Sequence, residues 1–195
     1  MVASVRVSKV NAQLESLKEA VARETRGRYS LETIKDAPSF RAYRAFFWRI
    51  NIDPTKNRPA AEALIRRLVG GKPFPTINTL VDAYNVSSVR SEIALATFDA
   101  AKLKGDLTMD FAAGGEHFQG IGMDSPQILK GGEVIISDAE NVVALYPHRD
   151  ADYSKVTEAT DQILLLVCGV PGISSEMLNA AEKFAVEYIT QFCSR

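Results

Sequence analysis

The stretch "INTLVDAYNVSSV", residues 77 to 89, sets the reading of this chain. On a 3.6-residue period Asn78, Asp82 and Asn85 fall at i, i+4 and i+7, on one face of a helix expected over residues 76–86. Ile77, Leu80, Val81 and Tyr84 share much of the other side. An apolar side for a core and an amide–carboxylate–amide side for a pocket make chemical sense together. Asp82 suits an ammonium group, and the two asparagines suit a carbonyl or a water. The same spacing also describes a solvated face of Asn78 and Asp82, with Asn85 as a C-cap before Ser87-Ser88.

Upstream, the pattern is helical. Val10, Leu14, Leu17 and Val21 recur at helical spacing over residues 9–24, with Ser8 as N-cap and Gly27 as stop. Residues 39–50, "SFRAYRAFFWRI", carry an apolar face of Tyr43, Phe46, Phe47 and Ile50, read as core rather than a base-stacking platform. In "DPTKNRPAAEALIRRLVGG", residues 53–71, Pro59 suits the first helical position and Gly70-Gly71 the C-terminal stop. From about residue 93 the texture turns to β. "IALATF", "DLTMDF", "EVIISD" and "NVVALYPH" are short strand-type runs, and "SDAEN" is a turn between two of them. "ILLLVCGV" reads as a buried strand, and Ser174 opens a last helix. Helices at both ends around a strand-rich middle specify an α+β fold. We expect residues 1–38 to be a helical extension and residues 39–195 one domain packed with it.

Composition narrows the function. The chain has 195 residues, 46% of them hydrophobic, enough for a real core. The net charge is −1, but residues 41–72 hold eight lysines and arginines against Asp53 and Glu62, a local net of +6. Such a patch suits a phosphate backbone, or else a set of solvated faces and ion pairs. Cys168 and Cys193 form no motif, so neither a disulfide framework nor a zinc site is expected. No cofactor or metal is called for, and no run is long and apolar enough for a membrane span. The cytoplasm is the expected location. Phosphate-binding glycine loops, nucleophile elbows and zinc-protease motifs are all missing. His117 and His148 are the only histidines, and both read as loop or strand-edge residues. Chemistry here must rest on water positioning and substrate assistance, or on binding alone.

Several pieces together resemble the freestanding proteins of the B3/B4 domain family. They are "WRINIDPTKNRPAAEALIRRL" from Trp48, "INTLVDAYNVSS", "FDAAKLKG" at 98–105, "SD" at 137–138 and "YPHRD" at 146–150. The likeness spans residues 40–170. It implies an α+β domain with a mixed or antiparallel sheet flanked by helices. It also implies a cleft for an aminoacylated RNA end. The implied activity is hydrolysis, in trans, of the ester of a mischarged aminoacyl-tRNA bearing an aromatic or arginine-like amino acid. A binding module for RNA or an amino acid, without catalysis, is the alternative.

On that resemblance Asn78, Asp82 and Asn85 line the amino-acid end of the pocket, and Asp82→Ala removes activity without changing the melting temperature. Asp138, Arg149, Thr157 and Thr160 are expected to touch substrate. Arg149 would meet phosphate or adenosine, or else pair with Asp150. Arg49, Lys56, Arg58, Arg66 and Arg67 would face the tRNA partner. Asp99 reads as an N-cap. Three departures stand out. Ala60 replaces an expected serine, Asn51 stands where glycine is common, and Ala96 occupies the place of the synthetase module's histidine.

Overall fold

The computed structural model describes residues 2–194. In chain order it contains β1 (Val2–Ser4), α1 (Ala12–Arg28), α2 (Pro38–Arg49), α3 (Ala60–Val69), α4 (Thr79–Ser91) and β2 (Ala94–Asp99). The strands β3 (Thr108–Phe111), β4 (His117–Phe118), β5 (Gln127–Ile128), β6 (Val134–Ser137), β7 (Val142–Leu145), β8 (Arg149–Asp150) and β9 (Gln162–Cys168) follow, then α5 (Ser175–Cys193). The fold is α+β, and every strand pairing is antiparallel. One sheet has the order β1-β9-β2, a second β3-β6-β7-β8, and β4 pairs with β5.

The helix from the opening stretch is the centre of the molecule. α4 packs against α1, α3, α5 and β2. It is buried almost all round, and its polar residues are satisfied inside the protein rather than wetted. The Thr79 hydroxyl accepts from the Ser8 amide at 3.0 Å. The hydroxyls of Ser87 and Ser91 donate to the carbonyls of Ala83 and Ser87, one turn back. Small hydroxylated side chains let neighbouring helices approach closely without leaving a polar group unpaired. The helix ends at Glu92, a buried residue with φ of 62°. Its carboxylate is held by Arg28, Tyr29 and Ser39. A left-handed glutamate persists because three side chains from α1 and α2 over-determine it.

Several boundaries differ from the expected ones, each for a capping reason. α1 starts at Ala12 because the Asn11 carboxamide accepts from Gln13 and Leu14. Val10 therefore lies outside the helix and is exposed, and α1 runs through Gly27. α2 begins one residue early, with Pro38 at its first position, while Ser39 bonds Glu92. α4 begins at Thr79 and extends to Ser91, past Asn85. Ser174 does cap the last helix. β1 pairs with β9, and α1 packs on α4 and α3, so residues 2–38 share the main core. Cys193 and Cys168 are both buried.

The four-stranded sheet separates two cores. Ile136 of β6 faces the main core, and Ile135 faces a smaller one with Phe118, Leu129 and Ala151. Beyond this sheet two Gly-Gly-Glu turns, 114–116 and 131–133, lie back to back. Glu116 accepts from the amides of Ala113 and Gly114, and Glu133 from those of Lys130 and Gly131. Gly114 (φ +97°) and Gly131 (φ +98°) are required here: a Cβ on either meets the opposing backbone at 3.0–3.2 Å.

Candidate functional site

The two sheets converge on a recess of about 90 Å³. Ala94 and Ala96 of β2 and Cys168 of β9 form one wall, with Ala94 the register partner of Cys168. Ala144 of β7 and its partner Asp150 of β8 form the other. Ala60, the first residue of α3, and the turn Tyr146-Pro147-His148 close it. Three alanines on facing strands leave the space that larger side chains would fill. The turn contains a cis Tyr146–Pro147 peptide bond. It is held from two directions. The Tyr146 hydroxyl donates to the Gly169 carbonyl, and α2 supports the turn through Phe46 against Tyr146 and Phe47 against His148.

Asp150 is the chemical centre of the recess. Successive residues of a strand point to opposite sides. Arg149 is exposed, its guanidinium 3.4 Å from the Ile121 carbonyl, while Asp150 sits inside. The two do not pair, unlike one of the sequence alternatives. No hydrogen bond or ion pair to the Asp150 carboxylate is found among the described residues. Burial alone pushes its pKa from 3.8 to about 6. A half-buried carboxyl with its pKa raised toward 6 and no partner marks a candidate site. Burial, and then the charge of Arg149, lower the pKa of His148, opposed by a backbone hydrogen bond to Tyr146. The His148 Nδ1 atom is buried without a hydrogen-bond partner. Behind the wall the Thr97 hydroxyl is buried and makes no hydrogen bond of standard geometry, although the Tyr84 hydroxyl lies near enough to feel it. Burial first, then the carboxylates of Asp150 and Asp82, raise the Tyr84 pKa.

An outer groove of about 370 Å³ adjoins the recess and shares Leu145, Tyr146 and His148 with it. Its rims are Ile50-Asn51-Ile52 and the Lys130–Val134 turn. Asn51 has φ of 59°, which explains why glycine suits this position. A third, basic groove of about 400 Å³ is lined by Lys56, Arg58, Arg66, Arg67 and Lys72. Ala60 of the recess lies between Arg58 and Arg66 in sequence, so α3 and the loop before it connect the two features.

The other residues singled out in the sequence have different placements. Asn78 is the N-cap of α4, and its side chain accepts from Val81. Asp82 is 2% exposed and forms a 2.7 Å ion pair with the buried Lys18, which also bonds Glu15 and Thr76. Its second oxygen accepts from the Ile77 amide. Burial raises the Asp82 pKa despite the opposing hydrogen bonds from Lys18 and Ile77. Asn85 is half-buried, one turn further on. None of the three lines the recess: Asn78 caps a helix, and Asp82 locks α4 to α1.

Asp138 fastens the turn after β6, accepting from the amides of Glu140, Asn141 and Lys104 and from the Tyr153 hydroxyl. Burial favours a higher pKa, and those backbone amides and the Tyr153 hydroxyl outweigh it and lower it. Thr160 donates to Asp99 and accepts from the Thr157 amide, so both threonines build the turn before β9 rather than the recess. Asp99 caps the short 3₁₀ turn after β2, as expected. Of the expected substrate contacts only Arg149 borders the recess. Of the expected RNA contacts, Lys56, Arg58, Arg66 and Arg67 line one groove, and Arg49 is exposed outside that lining. Arg66 is half-buried and, with Arg44, holds the fully buried Glu62. Part of the +6 charge is thus internal.

The sequence offers Asp150 only as a partner for Arg149 and places His148 on a loop or strand edge. The available signal was strand alternation in "HRD": an outward Arg149 turns Asp150 inward.

The family model described as "B3/4 domain" matches residues 42–194. The chain belongs to this family. A search of curated proteins finds no match. Among solved structures the chain is similar to an N-terminal fragment of the phenylalanyl-tRNA synthetase beta-subunit from Pyrococcus horikoshii. The identity is 16% and the TM-score 0.49, over 59% of this chain and 41% of that one. Within the B3/4 domain of this chain, two departures noted in the sequence, Ala60 and Ala96, both line the recess. Among the described residues, no helix is long and apolar enough to cross a membrane.

Proposed function

We propose that this B3/4 domain protein hydrolyses, in trans, the ester of a mischarged aminoacyl-tRNA whose amino acid carries a cationic, arginine-like side chain. The observation that carries this reading is the unpartnered Asp150 carboxylate in the recess. A guanidinium entering there supplies the missing charge and bidentate hydrogen bonds. The walls facing it are alanines, and Ala96 stands where a histidine would favour an aromatic hydroxyl. The recess is too small for a whole aminoacyl-adenosine, so it takes a side chain, and the outer groove takes the rest. The basic groove suits the phosphates of the acceptor arm, with Arg149 beside the recess. An aminoacyl ester is activated enough that positioning and a placed water supply much of the acceleration.

The test is a panel of tRNAs charged with arginine, an arginine analogue and tyrosine, incubated with the protein and with Asp150→Ala. Ester loss from a cationic substrate, abolished in Asp150→Ala, supports the reading. Hydrolysis of tyrosyl-tRNA alone removes the role of Asp150. Tight binding without turnover favours the non-catalytic module.

A further inference from the structure

The recess and the outer groove meet at a neck formed by three shared residues, Leu145, Tyr146 and His148. If the side chain fills the recess and the ribose the groove, the ester joining them crosses this neck. That step rests on the function proposed above. Leu145 carries no exchangeable proton. The Tyr146 hydroxyl is committed to the Gly169 carbonyl, and burial holds its proton firmly. His148 is different. A histidine with a purely structural role in a turn normally anchors its ring nitrogens on neighbours. Here Nδ1 is enclosed without a hydrogen bond of standard geometry, the Tyr146 carbonyl is its one polar influence from the turn, and the ring stands edge-on 6.2 Å from the Phe47 ring centroid.

We propose that His148 is the general base of the hydrolysis. Its ring takes a proton from a water in the neck as the water oxygen bonds to the ester carbonyl carbon. The carbonyl π pair moves onto oxygen. On collapse that pair re-forms the C=O bond, the bond from carbon to the ribose oxygen breaks, and the proton on His148 passes to that oxygen. One water is consumed, and one free amino acid and one ribose hydroxyl are released. The groups facing His148 favour its neutral, accepting form. Burial is the largest influence and the Arg149 charge the second, while the Tyr146 carbonyl opposes them. Asp150 in the recess and Lys130 and Glu133 in the groove are the other ionisable neighbours.

The experiment is single-turnover deacylation of arginyl-tRNA and tyrosyl-tRNA by the full chain, His148→Gln and His148→Ala between pH 5 and 8. Melting temperature and tRNA affinity are measured alongside. The expected result is a loss of about 10²- to 10⁴-fold in rate with tRNA affinity retained. In the rate at saturating protein, an acid limb at a pH below the ordinary histidine value should vanish in His148→Gln, while the weaker arginyl-tRNA affinity below about pH 6 that Asp150 sets should remain. Added imidazole should restore part of the His148→Ala rate. A folded His148→Gln enzyme with the wild-type rate and acid limb overturns the role of His148 while leaving deacylation standing. A wild-type protein that hydrolyses neither ester overturns both.

Discussion

Asp150→Asn should stabilise the protein at neutral pH while removing its preference for a cationic ligand. The folded-state pKa of Asp150 is raised from 3.8 to about 6 by burial. Its contribution to stability is therefore most favourable below about pH 4 and is lost as pH rises through about 6. At pH 7 the carboxylate is charged in both the folded and unfolded chain, and the folded one is partly desolvated. A displacement of about two pKa units corresponds to about 3 kcal/mol as an upper bound, and water in the recess reduces it to about 1–3 kcal/mol. For a chain of this size 1 kcal/mol moves the melting temperature by roughly 2–4 °C, so the variant should melt about 2–12 °C higher at pH 7. The assay is thermal unfolding of both proteins from pH 3 to pH 8. The difference should grow through pH 4–6 and close below pH 4, where the wild-type acid is neutral. Comparing the two ends of the series cancels any fixed cost of the buried amide. A variant that is no more stable at pH 7 than at pH 3, relative to wild type, refutes the argument. A ligand that takes up the charge lowers the Asp150 pKa, so cationic ligands should bind more tightly as pH rises through about 6.

Asp82→Ala leaves the Lys18 ammonium in the interior with only Glu15 and Thr76, and should cost about 3 kcal/mol in urea unfolding. An unchanged midpoint with lost activity would restore Asp82 to the pocket. Lys56→Glu with Arg58→Glu reverses two exposed cations of the basic groove. This pair should weaken tRNA binding and flatten its salt dependence by about one unit of slope per lost phosphate contact, as read by filter binding. Equal affinity at all salt concentrations would make the groove a solvated face. Arg66 is unsuitable for such a test, because its replacement by glutamate sets a second acid against buried Glu62. Ala96→Phe should fill the recess and abolish hydrolysis while tRNA affinity persists, at a cost of about 1–3 kcal/mol from overpacking. Retained turnover would place the amino acid elsewhere.

Much of the fold follows from local physics. The 3.6-residue period and the turn residues locate the helices, with ends set by caps that sequence alone ranks poorly: Asn11 rather than Ser8, Asn78 rather than residues upstream. Short apolar runs bounded by turn residues locate β2, β6, β7 and β9, whereas the two-residue strands β4, β5 and β8 are too short to show a pattern. The concentration of cations before and along α3 is also legible, and four of the residues chosen from it line one groove.

Spacing along the chain is enough to specify the α+β class, a helix within the 77–89 stretch and the basic region. Which polar groups are free depends instead on long-range packing. Asn78 and Asp82 looked available and are spent on a cap and on Lys18, sixty-four positions away from Asp82. Asp150 looked like a partner for Arg149 and instead stands unpaired where β2 and β9 meet β7 and β8. A polar side chain's chemistry depends on what its neighbours leave unsatisfied, and long-range packing brings those neighbours together.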